Sequence, residues 1–217
     1  MEHELVKLLN VIKDEIADEN TFHQGITNLL LFRKQLFDII LQFKKELTRS
    51  EFNSMPFIDA NGFHNKTIAY SIWHIFRIED IVIHTLINKD DQIFFSEGYQ
   101  RRISSPIKTT GNELIKQEIA DFSQSLNLEE LYQYAEAVKS ATDEFLGHLL
   151  FSDLEKHFDD NDKQQIRELG VVSPSENARW LIDYWCGETL RGLILMPLSE
   201  HWMAHIYASC IIKSALR

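Results

Sequence analysis

One stretch of the chain, from about Asn65 to Asn88, is apolar on nearly every side when it is drawn as a helix. Its large aliphatic and aromatic residues are Ile68, Ile72, Ile75, Phe76, Ile78, Val82, Ile83 and Leu86. A helix of this kind is stable in water only when other elements cover it. The chain has only four prolines and eight glycines, so long uninterrupted helices can form around it. The pattern predicts a well-buried helix inside a helical protein.

Three further stretches have the spacing of amphipathic helices. The first begins near Thr21, which stands three residues before Gln24 as in a capping box, and ends around Thr48. Another begins at Asn127, a favourable capping residue, and continues to about Leu150. The last reaches the C-terminus. Strand patterns are weak throughout, so we predict an all-α four-helix bundle with short helices in its long connections.

The helix starts divide the chain further. Ser199 is a suitable N-cap for the last helix, and Pro197 should keep the residues before it out of a helix. The two long connections, residues 89–126 and 151–198, each contain a helix-start pattern, at Thr110 and at residues 173–176. In the second pattern, we expect the proline to occupy the first helical position.

The whole chain, residues 1–217, is predicted to form one domain. Residues 1–20 are an N-terminal extension, acidic and amphipathic, that we expect to form an additional helix. They lack the basic start and apolar centre of a signal peptide, and no apolar run in the sequence is long enough to span a bilayer. Cys186 and Cys210 indicate no disulfide framework. These features favour a cytoplasmic protein.

The charge of the chain restricts its partners. It carries 33 acidic and 22 basic residues, for a formal net charge of −11. An acidic surface repels phosphate backbones and anionic lipids. We therefore expect no nucleic-acid partner and no membrane partner.

Two histidines, His201 and His205, lie one helical turn apart in the last helix, and His74 lies in the buried helix. Residues at i and i+4 point the same way, and imidazole is a common metal ligand. Chance alone gives roughly 0.4 such pairs for nine histidines, so the spacing has a substantial false-positive risk. The neighbours of all three histidines suggest inward-facing stripes, where unpaired imidazoles cost free energy. A shared metal would satisfy them, and hydrogen bonds to neighbouring residues are the alternative.

Other metal patterns fit less well. A zincin motif needs glutamate after the first histidine, but Trp202 stands there. Glu144 and His148 have i,i+4 spacing, and we interpret them as a solvated pair. His64 is expected in a loop, and His84 on a different face of its helix.

The remaining candidates leave alternatives open. Trp180, Tyr184, Trp185 and Trp202 could line a pocket near the site, but core packing is the more common role of such residues. Glu79 and Glu200 lie near the histidines in sequence, and solvent exposure is expected for both. No general base is assigned, so the catalytic residues stay unknown. Cys210 should be buried and inert.

These residues resemble the DinB/YfiT-like superfamily of metal-dependent helical bundles. The resemblance is carried by Trp73-His74-Ile75, by His201-x-x-x-His205 and by the order of the four helices from about residue 21 onwards. It implies that His74, His201 and His205 hold a divalent metal. It also implies homodimers and reactions of low-molecular-weight thiols. The chain is longer than a typical member, chiefly through the connection 151–198, so a relative's substrate does not transfer to it.

The sequence therefore predicts a metal-dependent enzyme with a three-histidine site and a small-molecule substrate. The expected reaction is transfer of a small thiol to an electrophile, or hydrolysis. Zinc is the expected ion, with nickel and iron as alternatives. The alternative function is a non-catalytic bundle that binds a metal or a small ligand.

Overall fold

The computed structural model describes residues 2–217, and every regular element within them is helical. The α-helices are α1 (Glu2–Ala17), α2 (Phe22–Glu46), α3 (Arg49–Phe52), α4 (Ile68–Asp80), α5 (Ile93–Ser96), α6 (Tyr99–Arg102), α7 (Gln117–Ser125), α8 (Leu128–Gly147), α9 (Asp160–Leu169), α10 (Glu176–Gly187), α11 (Leu190–Leu195) and α12 (His201–Ala215). Two π-helical segments, Ile81–Asn88 and Met196–Glu200, and a 3₁₀-helix, Phe151–Glu155, complete the set. The all-α prediction is confirmed.

Four long helices surround a common core. Helix α4 contacts α8 and α12, and α2 contacts the same two helices. Every residue of α4 is buried, as its apolar pattern predicts. At the centre, the ring of Phe76 lies 5.9 Å from that of Phe37 in α2 and 4.7 Å from that of Trp202 in α12. The extension 1–20 forms α1, which packs on α2; Met1 lies outside the described residues.

A buried ion network joins these four helices. Arg33 in α2 donates to both carboxylate oxygens of Glu79 in α4, at 3.1 and 2.8 Å, and to Asp143 in α8 at 2.7 Å. Trp202 in α12 donates its indole N–H to Glu79 at 2.8 Å. The expectation that Glu79 is exposed is therefore wrong, because Arg33 provides the opposite charge that a buried carboxylate requires.

The predicted helix starts have mixed outcomes. Asn127 caps α8, accepting from two backbone amides of its first turn, as expected. Thr21 forms no side-chain cap; its hydroxyl instead donates to the backbone carbonyl of Glu15, which belongs to the end of α1. Thr67 caps α4, so this helix begins two to three residues later than the pattern suggested.

The chain around Pro197 is helical, contrary to expectation. Helix α11, the π-segment and α12 follow one another without a break, and Ser199 is not an N-cap. Its hydroxyl donates to the carbonyls of Ile194 and Leu195. A π-turn is wider than an α-turn, which gives the proline ring the room it lacks inside an α-helix.

The long connections differ in detail from the predictions. No helix starts at Thr110; the chain there runs alongside α4, and α7 begins at Gln117. Helix α10 begins at Glu176, so Pro174 lies before it rather than at its first position.

Among the described residues, none of the helices combines the length and apolar character that crossing a membrane requires.

Candidate metal site

The three predicted histidines lie together in the core. Their candidate ligand atoms are all within 4.8 Å of one another. The Nε2 atoms of His74 and His201 are 3.3 Å apart, and the rings of His201 and His205 have centroids 4.7 Å apart. The exposed fractions of His74, His201 and His205 are 3%, 7% and 2%. Such a group of nitrogen donors can hold a metal ion.

Two elements bring these rings together. His74 lies in the middle of α4, and His201 is the first residue of α12. His205 follows one turn later, so both imidazoles of α12 project toward α4. The π-segment directly before His201 changes the helical phase, and such segments occur frequently at functional sites. The Glu79–Trp202 bond fixes α4 against α12 beside the site.

A backbone carbonyl orients the ring of His74. Its Nδ1 lies 2.6 Å from the carbonyl oxygen of Thr110. Because a carbonyl oxygen only accepts, Nδ1 carries the proton and Nε2 presents its lone pair toward the other histidines. Tyr70 stacks on the same ring, with centroids 5.3 Å apart and an interplanar angle of 13°.

Helix α4 holds the Thr110 segment at three points. Tyr70 donates its hydroxyl to the Gly111 carbonyl at 2.9 Å, and Arg77 donates twice to the Lys108 carbonyl, at 3.0 and 2.8 Å. The His74–Thr110 bond lies between these contacts. The acceptor of His74 is therefore fixed by side chains from the same helix. The sequence contains no signal for this arrangement, because the acceptors in all three contacts are backbone carbonyls.

Burial keeps the three imidazoles neutral. Desolvation lowers the pKa of His74 to about 4, although the Thr110 bond opposes this shift. Desolvation, followed by the proximity of His74, holds the pKa of His201 well below its usual value. Desolvation, followed by the proximity of His201 and then His74, also holds the pKa of His205 well below its usual value. Neutral imidazole is the form that binds metals.

The composition of the site also fits a metal. Within the described chain, His201 Nδ1 and His205 Nδ1 are buried without a hydrogen-bond partner, so these two rings lack an acceptor like the one that orients His74. No carboxylate or thiol among residues 2–217 belongs to the cluster. Three imidazoles without further protein donors match a site that leaves coordination positions open for a substrate.

A cavity of about 160 Å³ adjoins the cluster. His74 and His201 form part of its wall, and α10 and the second π-segment form much of the rest, through Trp180, Leu181, Tyr184, Trp185, Met196 and Pro197. Three of the four aromatic residues considered as pocket candidates, Trp180, Tyr184 and Trp185, therefore line the cavity. Trp202 does not line the cavity, since it is fully buried against Phe76 and Glu79. A larger groove of about 680 Å³ contains none of the three histidines.

The other histidines lie away from the cluster. His64 is in a loop, with its ring against Phe57, and His84 contacts Asp90 through Nδ1 at 2.7 Å. His148 is exposed, and its Nδ1 lies 2.8 Å from the Glu144 backbone carbonyl rather than from the Glu144 carboxylate.

Glu200 and the two cysteines also take no part in the cluster. Glu200 forms a partly exposed ion pair with Lys13. Both cysteines are free, and desolvation raises the pKa of Cys186 to about 11 and raises that of Cys210. Cys210 is half-buried rather than fully buried.

Comparison with known proteins supports the fold alone. No protein-family model matches the chain, and no curated protein sequence is similar enough to match it. The crystal structure of a conserved protein from Enterococcus faecalis is similar, with a TM-score of 0.57 and 16% sequence identity. The similarity covers 88% of this chain and 96% of that protein.

Proposed function

We propose that this protein is a divalent-metal-dependent enzyme of the DinB/YfiT-like type, with His74, His201 and His205 as the metal ligands and zinc as the ion. The observation that carries the proposal is the meeting of three buried, neutral imidazoles, two of which line an apolar cavity. Their order along the chain, one in α4 and two in α12, is the order that the family resemblance implies.

The proposed reaction is the attack of a small thiol on an electrophilic carbon: the sulfur–carbon bond forms, the bond from that carbon to its leaving group breaks, and the thiol's proton departs with the leaving group. A divalent ion bound by three neutral ligands acts as a Lewis acid and favours the deprotonated form of a bound thiol or water. Among the described residues, no aspartate or glutamate lines the cavity, so no carboxylate base is available to activate water. This favours the more acidic of the two nucleophiles, because a thiol loses its proton more readily than water does.

The residues of the chain would bind, orient and exclude water. The Thr110 carbonyl holds His74 in the tautomer whose Nε2 is free. The apolar wall from α10 keeps bulk water away, which strengthens electrostatic interactions inside the site. The lack of a base in the cavity also favours the second candidate, a bundle that binds a metal or small ligand without catalysis.

Elemental analysis tests the metal site directly. Protein purified without a histidine tag should contain close to one equivalent of metal, and His74→Ala and His201→Ala should both lose it. His148→Ala is the matched control, because His148 is exposed and outside the cluster. Metal retained in both core variants, or lost equally in His148→Ala, would contradict the proposed ligands.

Turnover distinguishes the two candidate functions. The metal-loaded protein should accelerate the reaction of 2-mercaptoethanol with a small aromatic electrophile, and His74→Ala should not. Stoichiometric metal without turnover over a broad panel of thiols and electrophiles would favour the binding role instead.

The resemblance also suggests a homodimer, which light scattering after size-exclusion chromatography measures.

A further inference from the structure

We propose that the cavity beside the histidines selects a substrate that is small, mainly apolar and without positive charge, about the size of one benzene ring, and that carries a hydroxyl or carbonyl oxygen bonded by Asn112. This inference rests on the proposed function and identifies the class of electrophile that the site would accept. Three independent features of the cavity wall support it: its volume, its lack of charge and one unpaired amide.

The volume of the cavity limits the size of the ligand. It encloses about 160 Å³. A dry apolar cavity of roughly 150 Å³ is known to accept benzene. A thiol of tripeptide size would not fit within the same space, so the cavity suits the electrophile and excludes a large co-substrate. The buried side chains of Leu181 and Trp185 form part of its wall and restrict its width.

The wall selects against positive charge. Among the described residues, no aspartate, glutamate, lysine or arginine lines the cavity. A cationic ligand would lose its hydration there without gaining a counter-charge from the wall, and the proposed divalent ion would repel it. The outer groove is different in this respect, because Arg167, Arg179 and Asp183 line it. Charge discrimination is thus a property of the inner cavity.

Asn112 provides the polar contact. Its Oδ1 atom is buried and has no hydrogen-bond partner in the described part of the chain. Asn112 lines the cavity, and because its Oδ1 is shielded, the amide would contact a ligand through Nδ2, which donates to a hydroxyl or carbonyl oxygen. The preceding residue, Gly111, is held through its carbonyl by Tyr70. The amide is therefore attached to the same anchored segment that orients His74.

Trp180 forms the outer wall. It lines both the inner cavity and the larger groove, and half of its surface is exposed. Its removal should join the two spaces and relax the size limit. Because it is largely outside the core, Trp180→Ala should leave the fold intact.

Calorimetric titration of the purified protein tests the inference with four probes: benzyl alcohol, toluene, benzylammonium and 2-naphthylmethanol. Benzyl alcohol should bind at least ten times more tightly than benzylammonium or 2-naphthylmethanol, and several times more tightly than toluene. Asn112→Ala should reduce the affinity for benzyl alcohol to that for toluene and leave toluene unchanged. Trp180→Ala should admit 2-naphthylmethanol.

A matched pair of variants tests whether the ligand binds in this cavity. Leu181→Trp should fill the cavity and abolish binding of benzyl alcohol, whereas Leu181→Met conserves volume and should retain it. Circular dichroism and metal content are measured on the same samples. Equal binding of benzylammonium and benzyl alcohol, or unchanged binding in a folded Leu181→Trp protein, would overturn the inference.

Metal content separates the two proposals. Stoichiometric metal without this ligand profile would refute the cavity inference and leave the metal site standing. The expected ligand profile in a protein that holds no metal would refute the metal site and leave the cavity inference standing.

Discussion

The hydrogen bond from His74 to the Thr110 carbonyl determines which nitrogen of that ring is available to a ligand. Without a fixed acceptor, a neutral imidazole can exchange its two tautomers, and only one of them presents Nε2 to His201. Tyr70 restrains the same ring by stacking on its face. The chemistry of the site therefore depends on a backbone atom as much as on the three histidines.

At the residue scale, burial of His74 should make the stability of the metal-free protein depend on pH. The pKa of His74 is about 4 in the fold against 6.5 as the ordinary value, so the unfolded chain binds more protons between these two pH values. Stability is therefore lost as pH falls from 6.5 towards 4. Between pH 7 and 4.5, the free energy of unfolding of His74→Gln should therefore fall by about 2–3 kcal/mol less than that of the unsubstituted protein.

Urea denaturation in the presence of a chelator measures this difference. His148→Gln is the control, because that histidine is exposed. If the two variants lose the same free energy of unfolding on acidification, His74 is not the source of the pH dependence.

Glu79 should be far more important for stability than Glu200, although both stand near the site in sequence. Glu79 pairs with Arg33 where neither side chain has any exposed surface, whereas Glu200 and Lys13 are 44% and 33% exposed. Glu79→Gln leaves a buried guanidinium with only Asp143 as its anionic partner, so we expect a loss of about 3 kcal/mol. Glu200→Gln should cost less than about 1 kcal/mol. Similar unfolding midpoints for the two variants would contradict this ranking.

At the element scale, the segment beside α4 supports the site only if Gly111 stays a glycine. Its φ of 78° is unfavourable for other residues, and an added Cβ would lie 2.8 Å from the Trp73 ring. Gly98 has a similar φ of 68° but open space around it. Gly98→Ala should cost about 1 kcal/mol from backbone strain alone, and Gly111→Ala about 1–3 kcal/mol more.

The same comparison extends to metal affinity. Gly111→Ala should weaken metal binding by shifting the neighbouring Thr110 carbonyl, whereas Gly98→Ala should leave it unchanged. Thermal unfolding and metal titration of the two variants measure both effects. A Gly111→Ala protein with unchanged stability and metal affinity would show that the segment does not support His74.

The helices and their inward stripes could be predicted because apolar spacing records which face is buried. The same stripes, added to the i,i+4 spacing of His201 and His205 and to the family resemblance, make His74, His201 and His205 predictable as one inward-facing group. The burial of Glu79 was missed, because carboxylates are rarely buried unless paired and its partner Arg33 lies 46 positions away in the sequence. The Thr110 acceptor was missed for another reason, since every residue carries a carbonyl.

The π-helical segments were missed for a third reason. Their wider turn depends on how neighbouring helices pack rather than on a residue pattern. From sequence alone, Pro197 therefore predicts a non-helical stretch, and Ser199 predicts a cap. The structure instead shows one helical run in which the π-segment directly precedes His201.

At the scale of the whole molecule, the site joins distant parts of the chain. His74 and His201 are 127 positions apart, yet their Nε2 atoms approach to 3.3 Å. The Arg33–Glu79–Trp202 network adds α2 to the same junction. The second long connection adds α10 as the wall of the cavity. A ligand at the histidines therefore contacts groups that are near one another only in the folded state.

Metal should for this reason stabilise the whole fold. A ligand that binds only the folded state adds about 2.7 kcal/mol at one hundred times its Kd, which corresponds to a rise in Tm of roughly 5–10 °C for a chain of this size. Differential scanning calorimetry with buffered free zinc should show this rise, increasing with zinc concentration, in the unsubstituted protein and in His148→Ala. His74→Ala should show none, because it removes the ligand that α4 supplies. A rise of equal size in all three proteins would place zinc binding elsewhere on the surface.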